Sequence, residues 1–410
     1  MLLKTSFYLL PFLCGHSLAI PLPDADQSKI EATRTVSPFR HPGMLHTDSD
    51  FVRMKAKVDA NAVPWITSWN LLTANSLASA TYSPKPAASV YRGADGTHAQ
   101  NYSQLYKDAA AAYALALRWM ISGDTSFADA AVKVLNAWAS TLVLISGTSD
   151  KFLASGIYGY QLANAAEIMR AYSGWATTDQ NAFGTMMKSV FYSMNHNFLV
   201  NHNGAKIDHY WANWDLANMA SMLSIGIFTD NATMYQEAVT YFKSGAGNGA
   251  VDKLVWKQYT VDGQVLGQGQ EAGRDQGHAL LDFALVGAFA QMAYNQGDDL
   301  FAYEDSRLLS GVEYAAKYNA GFDVPYTTYT NSDVTQTVIS NSSRGDIRPM
   351  WELLYAHYAD LKGENATYTE MMRRIVNAEF NGAEGGGGNY GPNSGGYDQL
   401  GYGTLTFRLK

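Results

Sequence analysis

Three short stretches concentrate the side chains able to move protons or hold an anion. The densest is GQVLGQGQEAGRDQGHALL, where Gln270, Arg274 and Gly277 share helical spacing, as do Glu271, Asp275 and His278. An imidazole, a guanidinium and carboxylates so close together suit acid–base work at a cleft. The same groups also make a capping and ion-pair network around Arg274, with Asp275 orienting Arg274 or His278. A second stretch, AKIDHYWANWDLANM, brings Asp208, His209, Asn213 and Asp215 to the start of an apolar run and sets Asn213 between Trp211 and Trp214. The third, SSRGDIRPMWELLYAHY, supplies Arg344 and Arg348. Pro349 suits a first helical position, which puts Arg348 at the mouth of a helix; a structural salt bridge to Glu352 is the plain alternative.

Aromatic side chains make up 13% of the chain, with 9 Trp and 26 Tyr, and core packing explains most of them. Tyr210, Trp211, Trp214, Tyr326 and Tyr329 instead neighbour polar segments, where flat faces suit the C–H surfaces of sugar rings. No HExxH-like spacing accompanies the histidines, so no metal site is expected, and GxSxG, the serine-hydrolase elbow, is absent. The glycine run near the C-terminus lacks the following Lys-Ser/Thr of a phosphate loop.

These stretches must be positioned by helices. SQLYKDAAAAYALALRWMISGD reads as a long apolar helix ending at Gly-Asp, followed by the helix TSFADAAVKVLNAWASTL. FLASGIYGYQLANAAEIMRAY and DQNAFGTMMKSVFYSMNHNF form the next pair. Three further pairs turn at TDN, QGDD and KGEN. In each, a helix apolar nearly all round meets a tight polar turn and then a helix with one polar face, which predicts antiparallel neighbours in an inner and an outer ring. The fold class expected is all-α: an (α/α) toroid or incomplete barrel of helix hairpins. The tail EGGGGNYGPNSGGYDQLGYGTLTFRLK should form a mobile Gly-rich loop and a short extended segment.

The 410 residues are 47% hydrophobic and 16% charged, the composition of a sizeable globular core. Net charge is −8, which disfavours nucleic acid; any polyanionic ligand needs local positive charge in its cleft. MLLKTSFYLLPFLCGHSLA reads as a secretory leader over residues 1–19, with Lys4 at its basic start and Ser17-Leu18-Ala19 at the cleavage site. Cys14, the sole cysteine, falls inside that leader, so the mature chain would carry no disulfide and no thiol chemistry. An extended segment over 20–40 and one catalytic domain over 41–410 would follow. Four sequons, at Asn101, Asn231, Asn341 and Asn365, fit an extracellular glycoprotein. The leader is too short for a stable membrane span, so no membrane partner is expected.

HPGMLHTDSDFVRMK, NWDLANM, GQEAGRDQGHALLDFAL, NQGDDLFAYEDSRLLSGVEYAAKYNAGFDVPY and RGDIRPMWELLYAHY together resemble the alginate lyase domain family of the chondroitin AC/alginate lyase superfamily, in its fungal and gut-bacterial branch. The resemblance runs from about His41 onward. It implies an (α/α) toroid and endo- or exo-lytic cleavage of a uronate polymer by β-elimination, without a cofactor; a secreted monomer with an acidic polysaccharide as its partner is expected. In such enzymes an amide and an arginine neutralise the substrate carboxylate while His and Tyr transfer protons. Asn213 matches the amide and His278 the histidine. Tyr329, then Tyr326, are candidates for the tyrosine, and Arg344 and Arg348 compete for the arginine. Gln270, Arg274, Trp211, Trp214, His209 and Tyr210 are expected to line the substrate. The Asn-Asn-His signature before Tyr-Trp is replaced here by Ile207-Asp208-His209, which leaves the polymer open. A nearby cation is expected to lower the Tyr329 pKa. Two rival functions stand beside this one: an inverting glycoside hydrolase using Glu271 with Asp208 or Asp215, and a non-catalytic glycan-binding protein.

Overall fold

In the computed structural model, which describes residues 37–410, all the predicted helix pairs form. The leader, Cys14 and residues 20–36 lie outside the described residues. Helices α1 (Asp48–Asp59) and α2 (Trp65–Ala74) come first, then strand β1 (Ser89–Arg92), α3 (Tyr102–Ser122), α4 (Thr125–Thr141), β2 (Leu144–Gly147) and α5 (Lys151–Met169). Helix α6 (Thr177–Met186) continues through a π-turn into α7 (Ser193–Asn201). The remainder is α8 (Ala212–Phe228), α9 (Ala232–Ser244), α10 (Val251–Leu254), β3 (Val255–Val261), β4 (Gln264–Gly269), α11 (Gln276–Asn295), α12 (Tyr303–Asn319), β5 (Tyr329–Thr330), β6 (Thr335–Gln336), α13 (Trp351–Tyr355), α14 (Thr367–Ala378) and α15 (Gly403–Thr406).

Local chemistry sets the helix ends. Gly123 adopts φ 76° and stops α3, Asp124 accepts from Ser126 N to start α4, and Asn231 accepts from Met234 N to start α9. Side chains of α5, α8 and α11 are buried on nearly every side, so these helices form the inner wall. Two glycines let α5 and α8 approach closely. A Cβ at Gly156 would fall 2.7 Å from the Ala217 carbonyl carbon, and one at Gly159 would fall 2.1 Å from Ser221 Oγ. Neighbouring inner helices run α3, α5, α8, α11, α13, with α15, α1 and α2 filling the gap back to α3. Each inner helix is paired to an outer one by a short turn, so the inner N-termini gather at one end. That end holds the stretches singled out above.

Short strands decorate this ring. Strands β1 and β2 pair in parallel, β3 and β4 form a hairpin turned at Asp262 (φ 51°) and Gly263 (φ 80°), and β5 pairs antiparallel with β6. Beneath the β3–β4 and β5–β6 hairpins lies a small hydrophobic cluster of Leu266, Ala272 and Tyr314, flanked by Tyr259, Tyr326 and Ile339; it is separate from the main core.

Two expectations need correction. The Gly-rich tail is packed against the ring, and it runs through a short helix rather than a strand. Gly386 lies against the Tyr402 ring, where a Cβ would come within 2.1 Å, and the chain ends through α15 with Leu405 buried. The glycines are there for close approach rather than for flexibility. Pro349 does not open its helix either: Met350 is the N-cap and Trp351 the first helical residue.

Candidate active site

The N-terminus of α8 is capped by the turn that follows β4. The residue at its N-cap, Trp211, provides no side-chain cap. Instead Ala212 N donates to Gln270 Oε1 (3.1 Å) and Asn213 N donates to Glu271 Oε1 (3.2 Å). These amides have no partner within their own helix, and the carboxylate also complements the positive end of the helix dipole. Glu271 thereby becomes the hub. Its Oε1 also accepts from the Asn213 side-chain amide at 2.5 Å, and its Oε2 accepts from Arg274 Nη1 at 2.7 Å.

Arg274 spreads over Trp211, its guanidinium carbon 5.0 Å from the ring centroid, and its Nη2 reaches His278 Nε2 at 3.3 Å. Asp275 is the N-cap of α11. Its Oδ1 accepts from His278 N at 2.9 Å and its Oδ2 lies 2.7 Å from His278 Nδ1. Burial pushes the Asp275 carboxyl up, but hydrogen bonds from the His278 side chain and backbone outweigh it and hold that carboxyl below its ordinary range. With Nδ1–H donated to Asp275 and Nε2 accepting from Arg274, the assigned tautomer places the imidazole lone pair at Nε2. His278 is 42% exposed and Arg274 26%, so both face outward from a buried base.

Gln270 links this cluster to the phenol. While its Oε1 caps α8, its Nε2 donates to Tyr329 OH at 2.7 Å. Tyr329 opens β5, and the tip of its hairpin docks on the loop before α8: Ser332 N donates to Asp208 Oδ2 (2.9 Å), Asn331 Nδ2 to Asp208 O (3.0 Å), and His209 Nδ1 meets Asp333 Oδ2 (2.7 Å). The expected lowering of the Tyr329 pKa is not found. Burial raises it, the Asp208 and Glu271 carboxylates add to the rise, and the donors Gln270 and Asn331 offset only part. Among the described residues no cation touches the phenol; Arg274 turns one edge to Glu271 instead.

The structure therefore brings together Asn213, Gln270, Arg274, His278, Tyr329 and Trp211. The other candidates serve elsewhere. Tyr326 OH donates to the Gln336 carbonyl (3.0 Å), and burial pushes its phenol up to about 12, so it props the hairpin from the small second core. Arg344 donates to the Tyr318 and Phe322 carbonyls and stacks on the Tyr318 ring, capping the end of α12. Arg348 pairs with Asp346 and with Asp398 of the Gly-rich tail. Neither arginine joins Asn213; Arg274, expected only as a substrate contact, occupies that place. Tyr210 and Trp214 pack on each other and on Phe198, fixing the loop before α8. His209 is exposed and paired to the hairpin.

Sequence reasoning passed over Asp282, a lone carboxylate within the apolar run HALLDFALVGAF, four residues beyond His278. That isolation is the signal that marks it. Among the described residues, no three His, Cys, Asp or Glu side chains converge as metal ligands, and no helix is long and apolar enough to cross a membrane. The sequons differ. Asn341 and Asn365 are exposed, Asn231 caps α9, and the Asn101 amide is tied to β1 through Tyr91 N and Ser89 O.

A solid ring of helix hairpins that gathers an amide, a guanidinium, an imidazole and a phenol at its inner N-termini has the make-up of a polysaccharide lyase. Comparison with known proteins places it further. The sequence profile of the alginate lyase family matches residues 67–323, more than half of the chain, and the protein belongs to that family. Its fold matches an alginate lyase from Bacteroides ovatus with a TM-score of 0.57 at 12% identity, covering 90% of this chain and 100% of that one. It matches alginate lyase A1-III from Sphingomonas species A1 with a TM-score of 0.55 at 13% identity, covering 76% and 87% respectively. At such identities these likenesses speak for the fold. No curated protein matches the chain.

Proposed function

We propose that this lyase is secreted and cleaves a β-1,4-linked uronate polymer, mannuronan or glucuronan, leaving a 4,5-unsaturated uronate at the new end. The observation that carries the reading is the convergence on Glu271: one carboxylate fixes both Asn213 and Arg274, beside His278 and, through Gln270, Tyr329. Removing the C-5 proton of a uronate builds a second negative charge on its carboxylate, so donors must be aimed at the enediolate. The second N–H of the Asn213 amide and the outer face of Arg274 are the donors in reach. His278 is oriented by Asp275, as a base is by a carboxylate. Once a substrate carboxylate draws Arg274, His278 Nε2 is free to accept a proton. On mannuronan or glucuronan, Tyr329 as phenolate takes the C-5 proton and passes it to the C-4 oxygen as that bond breaks and the C4–C5 double bond forms.

A second reading concerns the polymer, and the raised Tyr329 pKa favours it. In mannuronate and glucuronate the proton and the leaving oxygen share a face, and one tyrosine can serve both, provided it first becomes phenolate. In guluronate they lie on opposite faces, which suits a histidine base and a tyrosine acid. Incubating the protein with mannuronan, glucuronan and guluronan while following far-ultraviolet absorbance decides between them. Faster product from guluronan selects the two-residue route, and chain shortening without absorbance refutes elimination. The hydrolase reading finds no support in the carboxylates it would need. Glu271 is fully buried and engaged, Asp215 accepts from Gly249 N and Tyr241 OH, and Asp208 holds the hairpin. Secretion and glycosylation, with Asn341 and Asn365 as the sites, belong to the same proposal; the leader and the exposure of those two sequons support them.

A further inference from the structure

Asp282 lies on α11 one turn beyond His278 and is fully buried. Neither of its oxygens receives an N–H or O–H from any neighbour, whereas its side chain contacts the Glu271 carboxyl. Glu271 already accepts from the backbone and amide of Asn213 and from Arg274, a donor set that suits a carboxylate. Two carboxyl groups in contact inside a protein do not both ionise, so one proton must sit between them. Burial, then the Glu271 charge, push the Asp282 carboxyl well above the usual carboxylate range, and Arg274 offsets only part of that.

We propose that Asp282 is a positioning residue that retains its proton and donates an O–H hydrogen bond to Glu271, holding that carboxylate where it grips Asn213 and Arg274. The inference rests on the reading of Asn213 and Arg274 as donors to a substrate carboxylate. The proton is not transferred in the reaction. It removes a negative charge from beneath a site built for an anion, and it locks the hub from below while Asn213 and Arg274 lock it from above. A neutral donor of the same shape should therefore substitute for Asp282, and an apolar group of the same size should not.

Asp282→Asn supplies an N–H in place of the O–H, and Asp282→Leu supplies none. The Asn variant is expected to keep kcat/KM within about threefold of the parent, with an unshifted pH–rate profile. The Leu variant is expected to lose about ten- to a hundredfold, mostly in kcat, the range of a lost hydrogen bond to a charged group. Infrared difference spectra between the parent and Asp282→Asn, which need no substrate, should show a protonated-carboxyl band above the ordinary carboxylate range that belongs to Asp282, in addition to the one that Glu384 leaves in both. If the parent yields no unsaturated product from any uronate polymer, the functional reading fails while the band still tests the proton. If the parent is active but the band is missing, or Asn is as damaging as Leu, the inference is overturned. Should the Leu variant not fold, the Asn variant and its spectrum decide alone.

Discussion

The ring uses the same device twice. At α8, Gln270 and Glu271 cap an inner helix from a distant turn. At α13, Glu384 Oε1 does so, accepting from Trp351 N (2.9 Å) and Glu352 N (3.0 Å). Each cap sits beside a second buried carboxyl, Asp282 in the first case and Glu352 in the second, and each cluster includes arginine. The arginines differ. Around Glu352, Arg408 and Arg373 are 14% and 13% exposed, and Asn377 and Thr404 complete the donors, so every charge is consumed inside. Around Glu271, Arg274 presents one face outward and hands the contact on to His278. The first arrangement fastens the C-terminal segment to the ring, and the second leaves a cation and a base unspent. A buried carboxylate hub reads as structural or functional according to whether its cations are used up.

That contrast can be broken at several points. His278→Ala should lower kcat/KM by about 10²–10⁴, the usual worth of a positioned proton-transfer group, with thermal unfolding unchanged, as followed by absorbance of the unsaturated product. Arg274→Ala should lower it by about 10²–10³, the cost of one oxyanion donor, and should also loosen Glu271. Glu352→Ala should do the reverse: a loss of about 3–5 kcal/mol in denaturant unfolding, as for any broken buried ion pair, with activity per folded molecule retained. If Glu352→Ala instead disables a stable enzyme, the two hubs are not distinct in kind.

Smaller effects sharpen the comparison. Burial and the Glu352 charge push Glu384 up to about 8. Between the ordinary carboxylate range and pH 8 the folded chain then binds more protons than the unfolded one, so stability falls as pH rises through that window. Glu384→Gln should flatten this slope in a melting-temperature series. The His209–Asp333 contact is exposed on both sides, and His209→Ala should change kcat by no more than about twofold, less still at high salt.

The helices were legible because apolar periodicity and tight polar turns are local signals, and NWD and GRDQGH marked stretches whose side chains converge. The contacts of the arginines were not legible: Arg344 and Arg348 precede a helix as Arg274 does, and only the folded chain shows that carbonyls and Asp398 engage them. Tyr329 could be ranked above Tyr326 but its protonation could not be read, since that depends on Gln270 and on distant carboxylates. The β3–β4 hairpin carried a legible Asp262-Gly263 turn that the helical pattern overshadowed. The Gly-rich tail misled because glycine marks both loose chain and close packing, and only the Tyr402 ring against Gly386 separates the two.

Tyr329 does not rest on the main core. Its hairpin stands on the small cluster around Leu266 and Tyr314 and is tethered by polar contacts to Asp208 and His209. Warming should therefore loosen Tyr329 while the helices remain folded. On the role proposed for Tyr329, heat inactivation would then precede global melting, leaving an interval in which the protein still binds a uronate polymer but no longer cuts it.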